Sequence, residues 1–156
     1  MNIQITQIKD NYHLKIDYPV SLSPSKAWEW VATSEGFARW FGELHIEDHQ
    51  GEKILVFEMD DFREEMKVLE YEKDRTIAYE WSGAEVHFTV AEEEGKARIY
   101  FEEKIPVDFE SPYSSAKKDM AGWATQNEVL SSLMNGEEVF DIEVLQKKWQ
   151  DYMEKI

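Results

Sequence analysis

Two histidines four residues apart, His45 and His49, flank Glu47 and Asp48 in the string HIEDHQG. On a helix that spacing turns both imidazoles to one side, where they can hold a transition metal. Here the string falls between a helix end and a strand, with no third histidine beside it, so no metal is expected. Asp60-Asp61 and Glu92-Glu93-Glu94 supply carboxylates, but not at the spacing of a calcium loop, and they read as solvated hairpin tips. The chain has no cysteine, which excludes disulfides, zinc–thiolate sites, iron–sulfur clusters and thiol catalysis. A serine-hydrolase elbow, a phosphate-binding glycine loop and a dinucleotide fingerprint are also absent. No cofactor and no catalytic set is therefore expected. His87 falls on the outward face of its strand, and His13 opens another strand without an evident partner.

The polar groups left are those that interrupt an apolar face. Glu64, Glu103 and Asn127, with the Tyr79 hydroxyl and the Trp81 indole, fall among Tyr18, Phe57, Phe62, Phe88, Phe101 and Trp123. Apolar walls with a few polar groups are what a small-molecule pocket is made of, although most inward aromatics simply fill a core. The candidate lining is Phe57, Glu64, Met66, Tyr79, Trp81, Glu103, Trp123 and Asn127. A buried carboxylate is costly without a partner and would mark a water- or ligand-filled space. If instead both glutamates lie at the open sheet end, they are solvated. As an acid/base pair Glu64 and Glu103 fit poorly: three strands apart on a flat sheet they are roughly 14 Å distant, against the roughly 5–9 Å of glycosidase carboxylates.

Strands must position these groups. Leu14, Ile16, Tyr18 and Val20 alternate with polar residues in the first twenty positions, which read as strand. Ser23 then caps a helix opened by Pro24, with Trp28, Val31 and Ala32 on one face. Gly36 interrupts, and Phe37, Trp40 and Phe41 form a second short helix ended by Gly42. Five antiparallel strands follow over residues 53–59, 62–71, 76–81, 84–91 and 96–105, with Ser82-Gly83 the strongest hairpin signal. The turn lengths set the register. Leu55 meets Met66, Phe57 meets Glu64, Met66 meets Trp81, Val68 meets Tyr79, Tyr79 meets Val86 and Ile77 meets Phe88. With Glu92–Gly95 as a four-residue turn, Val86 then meets Phe101, Phe88 meets Ile99 and Val90 meets Ala97. Apolar residues gather on one face, with Tyr71 and Tyr100 turned outward and Glu64, Glu70 and Glu103 turned inward. Residues 117–135 make a long helix whose stripe is Met120, Trp123, Asn127, Leu130 and Met134, and Asn135-Gly136 stops it. A second amphipathic helix, over about 138–155, carries Ile142, Leu145, Trp149, Tyr152 and Met153.

Composition bounds the partners. In 156 residues there are 33 Asp and Glu against 17 Lys and Arg, a net charge of −16. Such a chain lacks the basic face that binds nucleic acid and is repelled by anionic membranes. Its 42% hydrophobic content separates it from disordered acidic chains. There is no leader-like apolar run and no membrane-length stretch, so a cytoplasmic protein is expected.

Three strings resemble motifs of one family. SPSKAWEWVATSEGFARWFG is similar to the SPxxVWxxLTxPExxxxWF opening of the activator-of-heat-shock-protein-ninety-ATPase homologue family. VLEYEKDRTIAYEW resembles its strand–turn–strand, and AGWATQNEVLSSLMNGE its GWxxxLxxLxxxL closing helix. The resemblance covers roughly residues 12–136 and implies an α+β helix-grip fold of the START and pollen-allergen type. In that fold a curved antiparallel sheet, here of six to seven strands, wraps a long C-terminal helix, with two short helices after the first strand. The expected organisation is one domain over 1–156, the last helix lying beyond the family motif. The family carries no shared catalytic set onto these residues. The chaperone-binding N-terminal domain of the eukaryotic cochaperone has no counterpart among these motifs.

Three functions are open on this reading. The first is binding of an apolar or aromatic small molecule between sheet and helix. The second is a protein-interaction or stress-response accessory role, with a chaperone as possible partner. The third is a cavity enzyme of cyclase or hydrolase type, for which no acid, base or nucleophile constellation stands out. The chain is compatible with a monomer or a homodimer.

Overall fold

The computed structural model describes residues 1–139 and 141–156. Strands β1 (Asn2–Ile8) and β2 (Asn11–Val20) precede helices α1 (Pro24–Ala32) and α2 (Ser34–Trp40). Six strands follow, β3 (Leu44–His49), β4 (Glu52–Met59), β5 (Phe62–Glu72), β6 (Thr76–Trp81), β7 (Ala84–Glu93) and β8 (Lys96–Pro106). Helices α3 (Ala116–Met134) and α4 (Ile142–Glu154) close the chain. All eight strands form one antiparallel sheet in the order β1-β2-β8-β7-β6-β5-β4-β3, which curves around α3. The fold is the expected α+β helix grip, with one strand more than the upper expectation. A turn at Lys9-Asp10, where Lys9 has φ 55°, splits the first twenty residues into two paired strands. HIEDHQG, expected to lie between a helix end and a strand, is the edge strand β3 and its turn. The C-terminal helix starts later than expected, and position 140 within its expected span lies outside the described residues.

Capping explains the helical breaks. Pro24 opens α1, and the Ser23 hydroxyl accepts from Lys26 N–H. Thr33 ends α1 and caps α2 at once, its Oγ1 accepting from Gly36 N–H at 3.0 Å. Gly36 permits this sharp junction because a Cβ there would lie 1.9 Å from the Glu29 carbonyl oxygen.

The sheet register corrects two expectations. Ser82-Gly83 and Glu94-Gly95 both have positive φ at both residues, the condition for a two-residue turn matched to strand twist. The β7–β8 turn is therefore Glu94-Gly95 alone, not four residues, and the pairing moves by two. Val86 meets Glu103, Phe88 meets Phe101 and Val90 meets Ile99. A shift of two keeps every side chain on its face but carries Glu103 one rung deeper, opposite Val86 rather than Ala84. In β5 the register shifts between Val68 and Glu70. Leu69 is the extra residue of this bulge. Beyond it the faces invert relative to expectation: Glu70 is exposed, and Tyr71 turns inward to donate to the Ala32 carbonyl at 2.8 Å. Its ring meets the Trp28 ring edge-on at 5.4 Å. Tyr100 points outward as expected.

The inner face and α3 enclose the core. Met120, Trp123, Asn127, Leu130 and Met134 are all buried, as the helical stripe requires. Trp123 sits at the centre, with ring centroids 5.0 Å from Trp81, 5.1 Å from Phe101, 6.0 Å from Phe41 and 6.2 Å from Phe88. Helix α4 packs on α3 through Leu145, Trp149 and Met153, and Lys148 pairs with Glu128 at 2.6 Å. Thr125 and Val129, which lie off the sheet-facing stripe, are buried as well.

Candidate functional site

The interior between sheet and helix is densely filled. Tyr18, Tyr79, Phe88 and Phe101 are sealed from solvent. Asn127 is tied down, its Oδ1 accepting from the Tyr18 hydroxyl at 2.8 Å and its Nδ2 donating to the Trp123 carbonyl at 3.0 Å. This closes a link between β2 and α3 through the core. Met66 is also buried. Glu64 lies half-buried at the sheet end and accepts from Ser82 Oγ at 2.8 Å.

Polar groups without partners concentrate elsewhere, under the first turns of α3. Glu103 is 0% exposed, and among the described residues neither of its carboxyl oxygens has a hydrogen-bond donor. The same is true of Tyr79 Oη and Asp119 Oδ2. Glu103 and Asp119 face each other at hydrogen-bonding range. Two carboxylates only accept, so this contact is a hydrogen bond when one carries a proton. Burial, reinforced by Asp119, pushes the Glu103 carboxyl well above the usual carboxylate range, which favours that proton. Burial and then the charge of Glu103 push the Tyr79 phenol up as well. The second Asp119 oxygen, Oδ1, accepts from the Trp81 indole N–H at 3.3 Å. The expectation left Glu103 open between solvated and buried; the two-residue turn buries it.

Asp119 connects this cluster to solvent. It is half-buried and borders a cleft of about 170 Å³ that opens between Phe41, Trp81, Trp123 and the outer side of α3. Lys118, Gln126 and Gln146 stand around its mouth. Of the expected lining, Trp81 and Trp123 border the cleft, Tyr79 and Glu103 lie behind Asp119, and Phe57 backs the wall at 6.3 Å from both Phe41 and Trp81. Met66, Glu64 and Asn127 are engaged away from it. Asp119 and Phe41 were not anticipated. The signal for Asp119 was its place four residues before Trp123, on one side of the same helix.

A second polar cluster lies on the outer face of β3–β5. His45 and His49 each place Nε2 on Glu47, at 2.8 and 2.9 Å. Arg63 clamps the same carboxylate with two N–H groups at 3.1 and 2.8 Å, and also reaches Glu65 at 3.1 Å. Arg63, then His45 and His49, hold the Glu47 carboxyl far below the usual range. Donor atoms of Glu47, His49 and Glu65 lie within 4.8 Å of one another, but the Arg63 guanidinium already bridges the two carboxylates. His87 is outward, as expected, and 3.7 Å from Glu85. His13, expected without a partner, lies 3.8 Å from Glu102. A broad groove of about 720 Å³ crosses the outer sheet surface between β1 and β7.

The family model of activator of Hsp90 ATPase homolog 1-like proteins matches residues 21–135. The chain belongs to this family. The match spans α1 to the end of α3, so α4 lies beyond the family core. Among solved structures, a conserved protein of unknown function from Enterococcus faecalis is 19% identical with TM-score 0.81, over 98% of this chain and 91% of that one. CalU16 from Micromonospora echinospora is 14% identical with TM-score 0.66, over 99% and 94%. The Aha1 dimer from Colwellia psychrerythraea is 14% identical with TM-score 0.58, over 79% and 96%. At these identities they share the fold. No curated protein matches the chain. Among the described residues no helix is long and apolar enough to cross a membrane.

Proposed function

We propose that this family member binds a small, ring-bearing molecule in the cleft that Phe41, Trp81 and Trp123 border beside Asp119. The observation that supports this most is the placement of unpartnered acid groups directly behind an aromatic opening. Buried polar atoms ordinarily find partners, and exceptions concentrate at functional sites. At about 170 Å³ the cleft suits a ligand of one ring, below the size of a drug-like molecule. Trp81 and Trp123 contribute flat apolar walls, and Asp119 contributes the orienting polar group. Ser114, whose hydroxyl donates to the Ser115 carbonyl, and Lys118 also line the cleft, and binding rather than turnover is the function proposed.

Native mass spectrometry of the purified protein, compared before and after denaturation, tests this reading. An adduct of low mass released on unfolding supports it. A bare protein that also shows no thermal shift across a panel of single-ring compounds contradicts it.

A second reading rests on a different feature. Met59 and Phe62 are 51% and 54% exposed at the tip of the β4–β5 hairpin, an apolar contact point compatible with an accessory role on another protein, as the family name suggests. Met59→Ser with Phe62→Ser would then abolish partner capture while leaving the cleft intact. Capture of the same partner by this double variant contradicts it.

A further inference from the structure

We propose that β1 is the docking edge for a second copy of this chain. Two β1 strands pair antiparallel across a twofold axis at Ile5 and join the two sheets into one. β1 ends the strand order, and among the described residues β2 is its one strand neighbour. The hairpin between them turns on Lys9-Asp10 and closes at the Ile8–Asn11 pair. A two-residue turn bonds its closing pair, and bonded and non-bonded pairs then alternate along the ladder. Asn2, Gln4, Thr6 and Ile8 therefore bond to β2, and the N–H and C=O groups of Ile3, Ile5 and Gln7 aim at the free edge. Among the described residues nothing pairs with those groups.

Sheets ordinarily guard such an edge with charge, proline, a bulge or a covering element. The opposite edge, β3, carries His45, Glu47, Asp48 and His49. β1 reads NIQITQI, with no charge and no proline, and its register with β2 runs unbroken. The neutrality extends through the hairpin. Residues 1–20 hold two Lys and two Asp and no Arg or Glu, so the whole net charge of −16 lies in residues 21–156. Two such acidic copies repel over most of their surfaces and approach at least cost through this hairpin. A charged peptide finds no complementary charge on the strand, whereas the strand complements itself. With Ile5 opposite the second copy's Ile5, Gln4 meets the second copy's Thr6 on the outer face. On the inner face Ile3 and Ile5, half-buried in the single chain, gain cover from the added strand.

Sedimentation equilibrium of the full chain tests the pairing. A dimer is expected, and it tightens as salt rises from about 50 to 500 mM, because screening removes the repulsion between like-charged copies. Gln4→Glu with Thr6→Glu sets acids opposite acids across the axis and should raise the dimer dissociation constant at least about tenfold. Within one chain the same two acids face Lys15 and His13 of β2, so the hairpin itself tolerates them. Gln4→Glu with Thr6→Lys sets each acid opposite a lysine and should restore dimerisation to within a few-fold of the wild type. Gln50→Glu with Gln150→Glu adds the same charge away from the edge and should leave the dimer in place. Near-UV circular dichroism confirms that each variant is folded. Amide exchange supplies a readout without substitution: Ile3, Ile5 and Gln7 gain protection as protein concentration rises. A monomer up to millimolar concentration in high salt overturns the proposal and leaves the edge to a strand of another protein. A dimer that the two acids at Gln4 and Thr6 do not weaken also overturns it, since the copies then meet through another surface.

Discussion

Glu103 and Asp119 meet across the seam between β8 and α3, and they can do so comfortably only with a proton between them. One side of this pair is sealed beneath the helix, and the other borders the aromatic cleft. A fold that otherwise segregates its acids to the outer sheet face, the hairpin tips and the helix surfaces keeps this pair inside.

The pair makes stability depend on pH in a defined direction. Folding raises the Glu103 pKa, so the folded protein retains a proton that the unfolded chain releases. The stability linked to this group is complete below the unfolded pKa near 4.3 and declines as pH rises toward the folded value, by about 1.4 kcal/mol per unit. Glu103→Gln cannot ionise and keeps a donor for Asp119. Thermal melts across mildly acidic to alkaline pH should show Glu103→Gln gaining on the wild type as pH rises. Parallel curves would mean that Glu103 titrates normally.

Gly36 is expected to tolerate no side chain. Its Cβ would overlap the α1 backbone, 1.9 Å from Glu29 O and 2.6 Å from Trp30 Cα, and no flexible side-chain tip is there to yield. Gly36→Ala should cost about 3 kcal/mol in urea unfolding, at the upper end of overpacking effects. A change within experimental error would show that the α1–α2 junction is loose.

The Tyr18–Asn127 bond is expected to matter more than a surface hydrogen bond. Tyr18→Phe removes the donor and leaves Asn127 Oδ1 buried without a partner, a loss of about 1–3 kcal/mol. Adding Asn127→Leu removes the orphaned group and should recover part of that loss. Additive losses in the double variant would contradict a direct coupling through this bond.

Much of the fold was legible because alternation and turn residues speak for themselves. Ser82-Gly83 fixed Tyr79 opposite Val86, and the three- and four-residue recurrence from Met120 to Met134 fixed the sheet-facing stripe of α3. What escaped was local. A run of acids before Gly95 looked like a longer turn, although only Glu94 and Gly95 take positive φ, and that hid the depth of Glu103. No residue type announces the bulge at Leu69, whose effect on Tyr71 depends on α1 offering the Ala32 carbonyl. Asp119 was hidden for a related reason. A charged residue in the first turn of a helix is favoured by the helix dipole alone, and its contact with Glu103 exists only once β8 has its register.

Ligand binding at the cleft is tested most directly by titrating protein labelled at its six tryptophan indoles with benzylamine and benzyl alcohol, following each indole N–H resonance. Binding at the cleft predicts saturable shifts of Trp81, which donates to Asp119, and of Trp123, with Trp28 and Trp149 unmoved. No saturable shift with either compound up to millimolar concentration, or shifts centred on other tryptophans, would contradict it.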